Sequence, residues 1–218
     1  MSGVLFAVGV GPGDPNLLTL KAVKILEKAE VIACPAKDNK PGLAYSIAVQ
    51  ACPNIASKET LSLCFPMNKE NLEEAHKSAA EKIITELEAG KDVAFLTLGD
   101  PGFYSTFSYI SEMVKKCGYE IEVVSGIPSF CAAAARLGIS VAEGEESVMI
   151  TAGEFKLIDG TLIIMKAGSR LKELKEKIKY AEKTAYLIEN CGMSDEKIYS
   201  GLDNIPDRSG YFSILIVH

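Results

Sequence analysis

Short apolar runs that alternate with amphipathic segments constrain this chain more than any other feature. Across 218 residues, nine runs read as strands: 4–10, 30–35, 61–65, 92–98 and 120–124, then 147–151, 161–165, 184–189 and 211–217. Several of them (VLFAVGV, VAFLTL, TLIIM, ILIV) are continuously apolar, as strands covered on both faces must be. The intervening segments have helical periodicity. Residues 20–29 place Ala22, Ile25, Leu26 and Ala29 on one face behind Thr19, a natural N-cap. Residues 71–89 carry Leu72, Ala75, Ala79, Ile83 and Leu87 on one stripe and stop at Gly90. Residues 171–182 are rich in Lys and Glu and read as a solvated helix. Such alternation predicts an α/β fold. After Val124 helices thin out and strands crowd together, as in a mixed or partly antiparallel sheet. A seam near Ser125–Gly126 is therefore expected, dividing domains 1–124 and 125–218.

Charge narrows the range of partners. The net charge is −6, and of the 23 basic residues only Arg136, Arg170 and Arg208 are Arg. A net anion poor in bidentate Arg is badly suited to phosphate backbones or base edges, so nucleic acid is not an expected partner. The six Cys, at 34, 52, 64, 117, 131 and 191, form no Cys-x-x-Cys pair. With only His76 and His218 to add imidazole, no metal site is expected. These Cys read as small buried hydrophobes in a reduced, cytoplasmic protein. The first apolar run is too short to span a membrane and lacks a basic segment before it, so no membrane partner is expected. His76, in a charged helix, and His218 read as surface groups.

Three turns concentrate the chemistry. The first is Gly9-Val-Gly-Pro-Gly-Asp-Pro15, a strand entering a Gly-rich turn. Gly9 and Gly11 match the opening of a dinucleotide fingerprint, but Asp14 stands where the third Gly belongs and Pro12 removes an N–H donor. Asp38, the acidic residue at about the right distance downstream, falls in a Lys-rich loop. A nucleotide-dependent oxidoreductase is thus the weaker alternative. The second turn, Leu98-Gly-Asp-Pro-Gly-Phe-Tyr-Ser105, follows a buried-type strand and puts the Asp100 carboxylate where α/β sheets bind ligands. Asp100 could attract a cationic ligand, take up a proton or merely cap a following helix. The third, Ser125-Gly-Ile-Pro-Ser-Phe130, leads into a run of Ala suited to tight helix packing.

These turns, in this order, resemble the tetrapyrrole methylase family of S-adenosyl-methionine-dependent methyltransferases. The resemblance continues through Leu162-Ile-Ile-Met165, Glu189-Asn190 and the closing strand at 211–217. Within the family, the Gly99–Phe107 and Ser125–Phe130 stretches look most like the branch that methylates C20 of precorrin-2 in cobalamin synthesis. A member acting at another ring position is the near alternative. The resemblance implies a two-domain α/β fold (the class III methyltransferase fold), with S-adenosyl-methionine in the interdomain cleft, S-adenosyl-homocysteine as product, and a homodimer. It implies cofactor contacts from Pro12, Leu98, Gly99, Asp100, Phe103, Tyr104 and Ser105, then from Pro128, Ser129, Met165, Asn190, Cys191 and Ser213. Asp100 becomes the candidate catalytic residue, orienting the cofactor or accepting the proton lost from the methylated carbon. Many relatives carry Pro-Gly where this chain has Ser125-Gly126, and Gly where it has Cys191; backbone contacts survive both changes. The substrate is a tetrapyrrole bearing several carboxylates, so local positive charge is required. Lys37, Lys40, Arg136, Lys166 and Arg170 are the candidates for it.

Overall fold

The computed structural model describes residues 2–37, 40–66 and 71–218; Asp38 and the side chain of Lys37 lie outside the described residues. The chain divides into two compact units, Met1–Pro128 and Ser129–His218. No helix among the described residues is long and apolar enough to cross a membrane.

In the first unit, β1 (Leu5–Gly9) lies between β5 (Val93–Thr97) and β6 (Ile121–Val124). On the far side of β5 lies β2 (Val31–Lys37), which also pairs with β4 (Glu59–Cys64), and all these pairings are parallel. A two-residue strand, β3 (Lys40–Pro41), turns back antiparallel on the end of β2. The period-2 pleat sends Phe6 and Val8 into one core and Leu5 and Ala7 into another. Helices α1 (Leu20–Lys28) and α2 (Leu43–Ala51) close the first core through Ala22, Leu26, Ala44, Ile47 and Ala48. Helices α3 (Leu72–Glu88) and α4 (Phe107–Lys116) close the second through Ala79, Ala80, Ile83, Leu87, Phe107, Ile110 and Val114. Each Leu or Ile fully buried in this way contributes about 1.5–3 kcal/mol. Thr19 caps α1 as expected, its hydroxyl accepting the Ala22 amide at 3.1 Å.

The connections position the site. From β1 the chain passes to α1 on one face, and from the adjacent β5 it passes to α4 on the other. Where neighbouring strands send the chain to opposite faces, a crevice opens at their carboxyl ends.

The second unit holds a five-stranded sheet in the order β10 (Lys197–Ser200), β9 (Ala185–Glu189), β11 (Ser213–Val217), β8 (Thr161–Met165), β7 (Val148–Ala152). Only β7 and β8 are parallel, so the sheet is mixed, as strand crowding after Val124 predicts. Helix α5 (Ser129–Leu137) packs on β11. Helix α6 (Leu171–Tyr180) is not wholly solvated. Leu171, Leu174 and Ile178 are buried against Leu162, Ile164, Leu187 and Leu215, and its Lys and Glu occupy the opposite face.

Two further expectations are corrected. His76 is not a surface group: it is only 5% exposed, because it lies on the α3 face turned toward α4. Its ring stacks on Tyr109 at 4.8 Å and tilts against Phe65 at 5.6 Å. His218 is half-buried, with its Nδ1 3.0 Å from the Thr161 hydroxyl. Of the six Cys, Cys34, Cys52 and Cys191 are buried, whereas Cys64, Cys117 and Cys131 are exposed. Cys64 ends β4, where its apolar neighbours Leu63 and Phe65 do not ensure burial, and Cys117 follows the last turn of α4 between Lys116 and Gly118.

Candidate functional site

In the first unit three glycine turns meet at the crevice between β1 and β5. Past the strand ends, Val10 donates its amide to Thr97 O at 2.9 Å. Gly11 and Gly99 then exchange amide–carbonyl bonds of 3.2 and 2.8 Å. Both have φ of +73°, the left-handed region that favours glycine. The turn after β6 presses on this pair. A Cβ on Gly126 would stand 2.1 Å from the Gly99 carbonyl oxygen, and one on Gly9 would stand 2.5 Å from the Gly126 nitrogen. Backbone therefore meets backbone, and no side chain fits between.

Asp100 holds the arrangement. Its Oδ1 accepts the Gly102 amide at 2.7 Å and its Oδ2 accepts the Gly126 amide at 2.9 Å. The carboxylate caps a turn and ties it to another; it does not cap a helix, since α4 begins only at Phe107. Ser105 serves that helix, its hydroxyl accepting the Phe107 amide at 3.1 Å and lying 3.3 Å from the Thr97 hydroxyl. Between these residues the chain projects Phe103 and Tyr104, 40% and 51% exposed. Tyr104 has φ of +49°, a strained conformation for a side chain with a Cβ and a frequent mark of functional loops. Leu98 is half-buried beside them, and Pro12 is buried in the first turn. Asp14 accepts the backbone and side-chain N–H groups of Asn16, both at 2.9 Å, and so caps the short 3₁₀ turn Pro15–Leu17.

The donor set discriminates between ligands. Loop 98–105 offers backbone N–H and C=O groups, two exposed rings and a carboxylate, without a Lys or Arg. A pyrophosphate needs converging donors and positive charge. A nucleoside carrying a sulfonium and an ammonium needs apolar faces for its base and negative potential for its cations. The residues present fit the second.

In the second unit the implied residues gather on one sheet edge. Because β11 runs antiparallel to β8 and β9, its start lies beside both of their carboxyl ends. Met165 pairs with Ile214, and Ser213 pairs with Glu189. Asn190 has φ of +51°, donates its amide to Phe212 O at 2.8 Å, and donates its side-chain N–H to Asp195 at 2.7 Å. The Ser213 hydroxyl bonds Gly210 O and the Ser209 hydroxyl, each at 2.7 Å. Burial pushes the Cys191 thiol up to about 11, which keeps it neutral and unreactive at ordinary pH. Pro128 closes the first unit and Ser129 opens the second at the start of α5, both half-buried.

The basic candidates separate. Lys40 is exposed in β3. Arg136 lies 3.6 Å from Glu196 and Arg170 lies 3.3 Å from Glu173. Lys166, with φ of +57°, sits over the Tyr211 ring at 5.4 Å. Sequence reasoning missed Tyr211 and Phe212 as site candidates. Two consecutive aromatics before a buried-type strand were a usable signal, but they read as the strand's own beginning.

The comparisons with known proteins agree with these observations. A model of the tetrapyrrole (corrin/porphyrin) methylases matches residues 4–204. A probable cobalt-precorrin-2 C(20)-methyltransferase of Methanocaldococcus jannaschii is 38% identical, over 98% of this chain and 95% of that protein. The cobalt-precorrin-2 C(20)-methyltransferase of Salmonella typhimurium is 29% identical, over 100% of this chain and 97% of its own. Among solved structures, the uroporphyrin-III C-methyltransferase of Thermus thermophilus, complexed with S-adenyl homocysteine, shares the fold. Its TM-score is 0.70 at 19% identity, covering 99% of this chain and 92% of that one. With the glycine turns, the two-unit α/β architecture and a family match spanning both units, the chain belongs to the tetrapyrrole (corrin/porphyrin) methylase family.

Proposed function

We propose that this chain is an S-adenosylmethionine-dependent C-methyltransferase that methylates C20 of precorrin-2 or of its cobalt form, in cobalamin biosynthesis. The observation that carries this reading is 38% identity extending over 98% of the chain to a protein named for that reaction. The first unit's crevice supports the donor half of the reading through the donor set of loop 98–105. Bound S-adenosylmethionine supplies a methyl group already activated on a sulfonium.

The chain's own task is then to position. Asp100 fixes the loop through the Gly102 and Gly126 amides, so that Phe103 and Tyr104 are presented in one arrangement. Its carboxylate also keeps negative potential beside a cationic ligand. Orientation of this kind can lower a barrier by about 7–11 kcal/mol. With both oxygens already accepting amides, we assign Asp100 to positioning in preference to proton transfer. The same reading takes the protein to be a cytoplasmic homodimer, which the family resemblance supports; light scattering of the purified protein tests the oligomeric state.

The deciding experiment incubates the protein with methyl-labelled S-adenosylmethionine and either precorrin-2 or cobalt-precorrin-2. A product heavier by one methyl, with the label assigned to C20 by NMR, is expected. A label on another ring carbon would make the chain a different member of the family, and no transfer to either acceptor would overturn the reading.

A further inference from the structure

The turn after β6 is gripped from two sides. Its first peptide unit, Ser125–Gly126, is trans, so its C=O and N–H point in opposite directions. Asp100 Oδ2 accepts the N–H at 2.9 Å. From the other side, the Thr19 hydroxyl donates to the Ser125 carbonyl at 3.3 Å, across 106 residues of sequence.

Thr19 has two tasks, and they use different parts of its hydroxyl. A lone pair caps α1 by accepting the Ala22 amide at 3.1 Å, and the proton goes to Ser125. A helix cap needs only the acceptor, which Asp supplies equally well. The proton is therefore the part of Thr19 that α1 does not use. Ser125 is exposed, so water would serve its carbonyl if Thr19 did not, and the bond adds little to net stability. What it fixes is a direction. The first turn of α1 reaches β6 a second time, Lys21 lying 2.5 Å from Glu122. That ion pair is solvated and touches no part of the 125–126 peptide.

The direction matters because nothing separates this peptide from the loop at 98–105. A Cβ on Gly126 would stand 2.1 Å from the Gly99 carbonyl oxygen and 2.8 Å from backbone atoms of Gly9. Rotation of the Ser125–Gly126 unit therefore displaces Gly99 by direct contact and Asp100 through its hydrogen bond. Those two residues lead into the stretch that presents Phe103 and Tyr104 to solvent.

We propose that Thr19 is a positioning residue for methyl-donor binding. Through Ser125 O it sets the tilt of the 125–126 peptide, and through that peptide it sets the loop at 98–105. Its own side chain is spent on Ala22 and Ser125 and acts on the donor only through them. The proposal rests on the methyltransferase reading for the identity of the donor.

The test compares the wild type with Thr19→Asp, Thr19→Ser and Glu122→Gln in the full chain. Each is titrated calorimetrically with S-adenosylhomocysteine, which requires no acceptor, and amide hydrogen exchange is followed at Gly126. Thr19→Asp keeps an acceptor for the Ala22 amide but carries no proton at neutral pH, so it removes the grip and spares the cap. Its Tm is expected to match the wild type, while its Kd for S-adenosylhomocysteine rises roughly fivefold, the scale of one neutral hydrogen bond. Its Gly126 amide should exchange faster as well. Thr19→Ser retains both bonds and is expected to recover most of the affinity, and Glu122→Gln is expected to bind as the wild type does. Unchanged affinity in Thr19→Asp, whether or not Gly126 exchanges faster, overturns the proposal and leaves Thr19 a helix cap. A lowered Tm in Thr19→Asp with an equal loss of affinity in Glu122→Gln traces the effect to a loosened α1 and also overturns it. Failure of the wild type itself to bind S-adenosylhomocysteine overturns the donor reading, a result that no Thr19 variant can produce.

Discussion

Asp100 Oδ2 accepts the amide of Gly126 at 2.9 Å and so joins two turns that are 26 residues apart in sequence. Because Oδ1 takes the Gly102 amide, Asp100→Ala orphans two N–H groups, and Asp100→Asn can satisfy only one of them. Hydrogen bonds to a charged group are worth about 1.5–3 kcal/mol each. Asp100→Ala should therefore lower the Tm and weaken binding of S-adenosylhomocysteine by calorimetry, with Asp100→Asn intermediate in both. If Asp100 were the base, Asn would abolish turnover as completely as Ala while leaving that affinity intact.

Gly126→Ala tests the same junction sterically. The new Cβ would stand 2.1 Å from the Gly99 carbonyl oxygen and 2.8 Å from backbone atoms of Gly9, none of which can swing aside as a side chain does. Overpacking of this kind costs about 1–3 kcal/mol. The expected outcome is a lower urea midpoint together with a loss of methyl-donor affinity. Gly138→Ala is the control, since its Cβ meets nothing within 4 Å and only the left-handed backbone is strained.

His76 makes stability depend on mild acid. Burial holds its imidazole below the usual 6.5, so the folded state favours the neutral ring. The stabilisation is complete above the unfolded value and is lost as pH falls from there toward the lower folded value, because the unfolded chain binds the proton first. The urea midpoint of the wild type should fall between pH 7 and about 5.5 more than that of His76→Phe, which keeps the stack on Tyr109 and cannot titrate. Parallel pH profiles for the two proteins would refute this.

Cys191 should be the slow thiol. With its value pushed up to about 11 by burial, roughly a thousandth of it is ionised at pH 8, the form that alkylates. Under native conditions iodoacetamide should label the exposed Cys64 and Cys117 well before Cys191, as peptide mass mapping would read out. Early labelling of Cys191 would contradict the buried environment described for it.

The positions of most strands along the chain and the Thr19 cap were legible because each rests on local pattern, as were the three turns. Helix α2 was not, because Leu43–Ala51 is apolar nearly throughout and its polar face is reduced to Ser46 and Gln50, too little to reveal its period. The strand β10, only four residues long with little burial, lacked a signal of its own. The candidate site was legible by residue type but not by arrangement. Gly9, Gly99 and Gly126 each read as a local turn glycine, whereas what requires them is mutual contact among three segments. His76 was misread for a related reason: its sequence neighbours are charged, but helix packing selects a face, not a neighbourhood.

The glycine junction also limits how this scaffold can vary. A joint made of bare main chain has no side chain to exchange, so substitution can break it but cannot retune it. Variation is therefore left to what projects from its margins, such as Phe103 and Tyr104, 40% and 51% exposed. A chain can change those projections without disturbing the backbone contacts that hold the turns together.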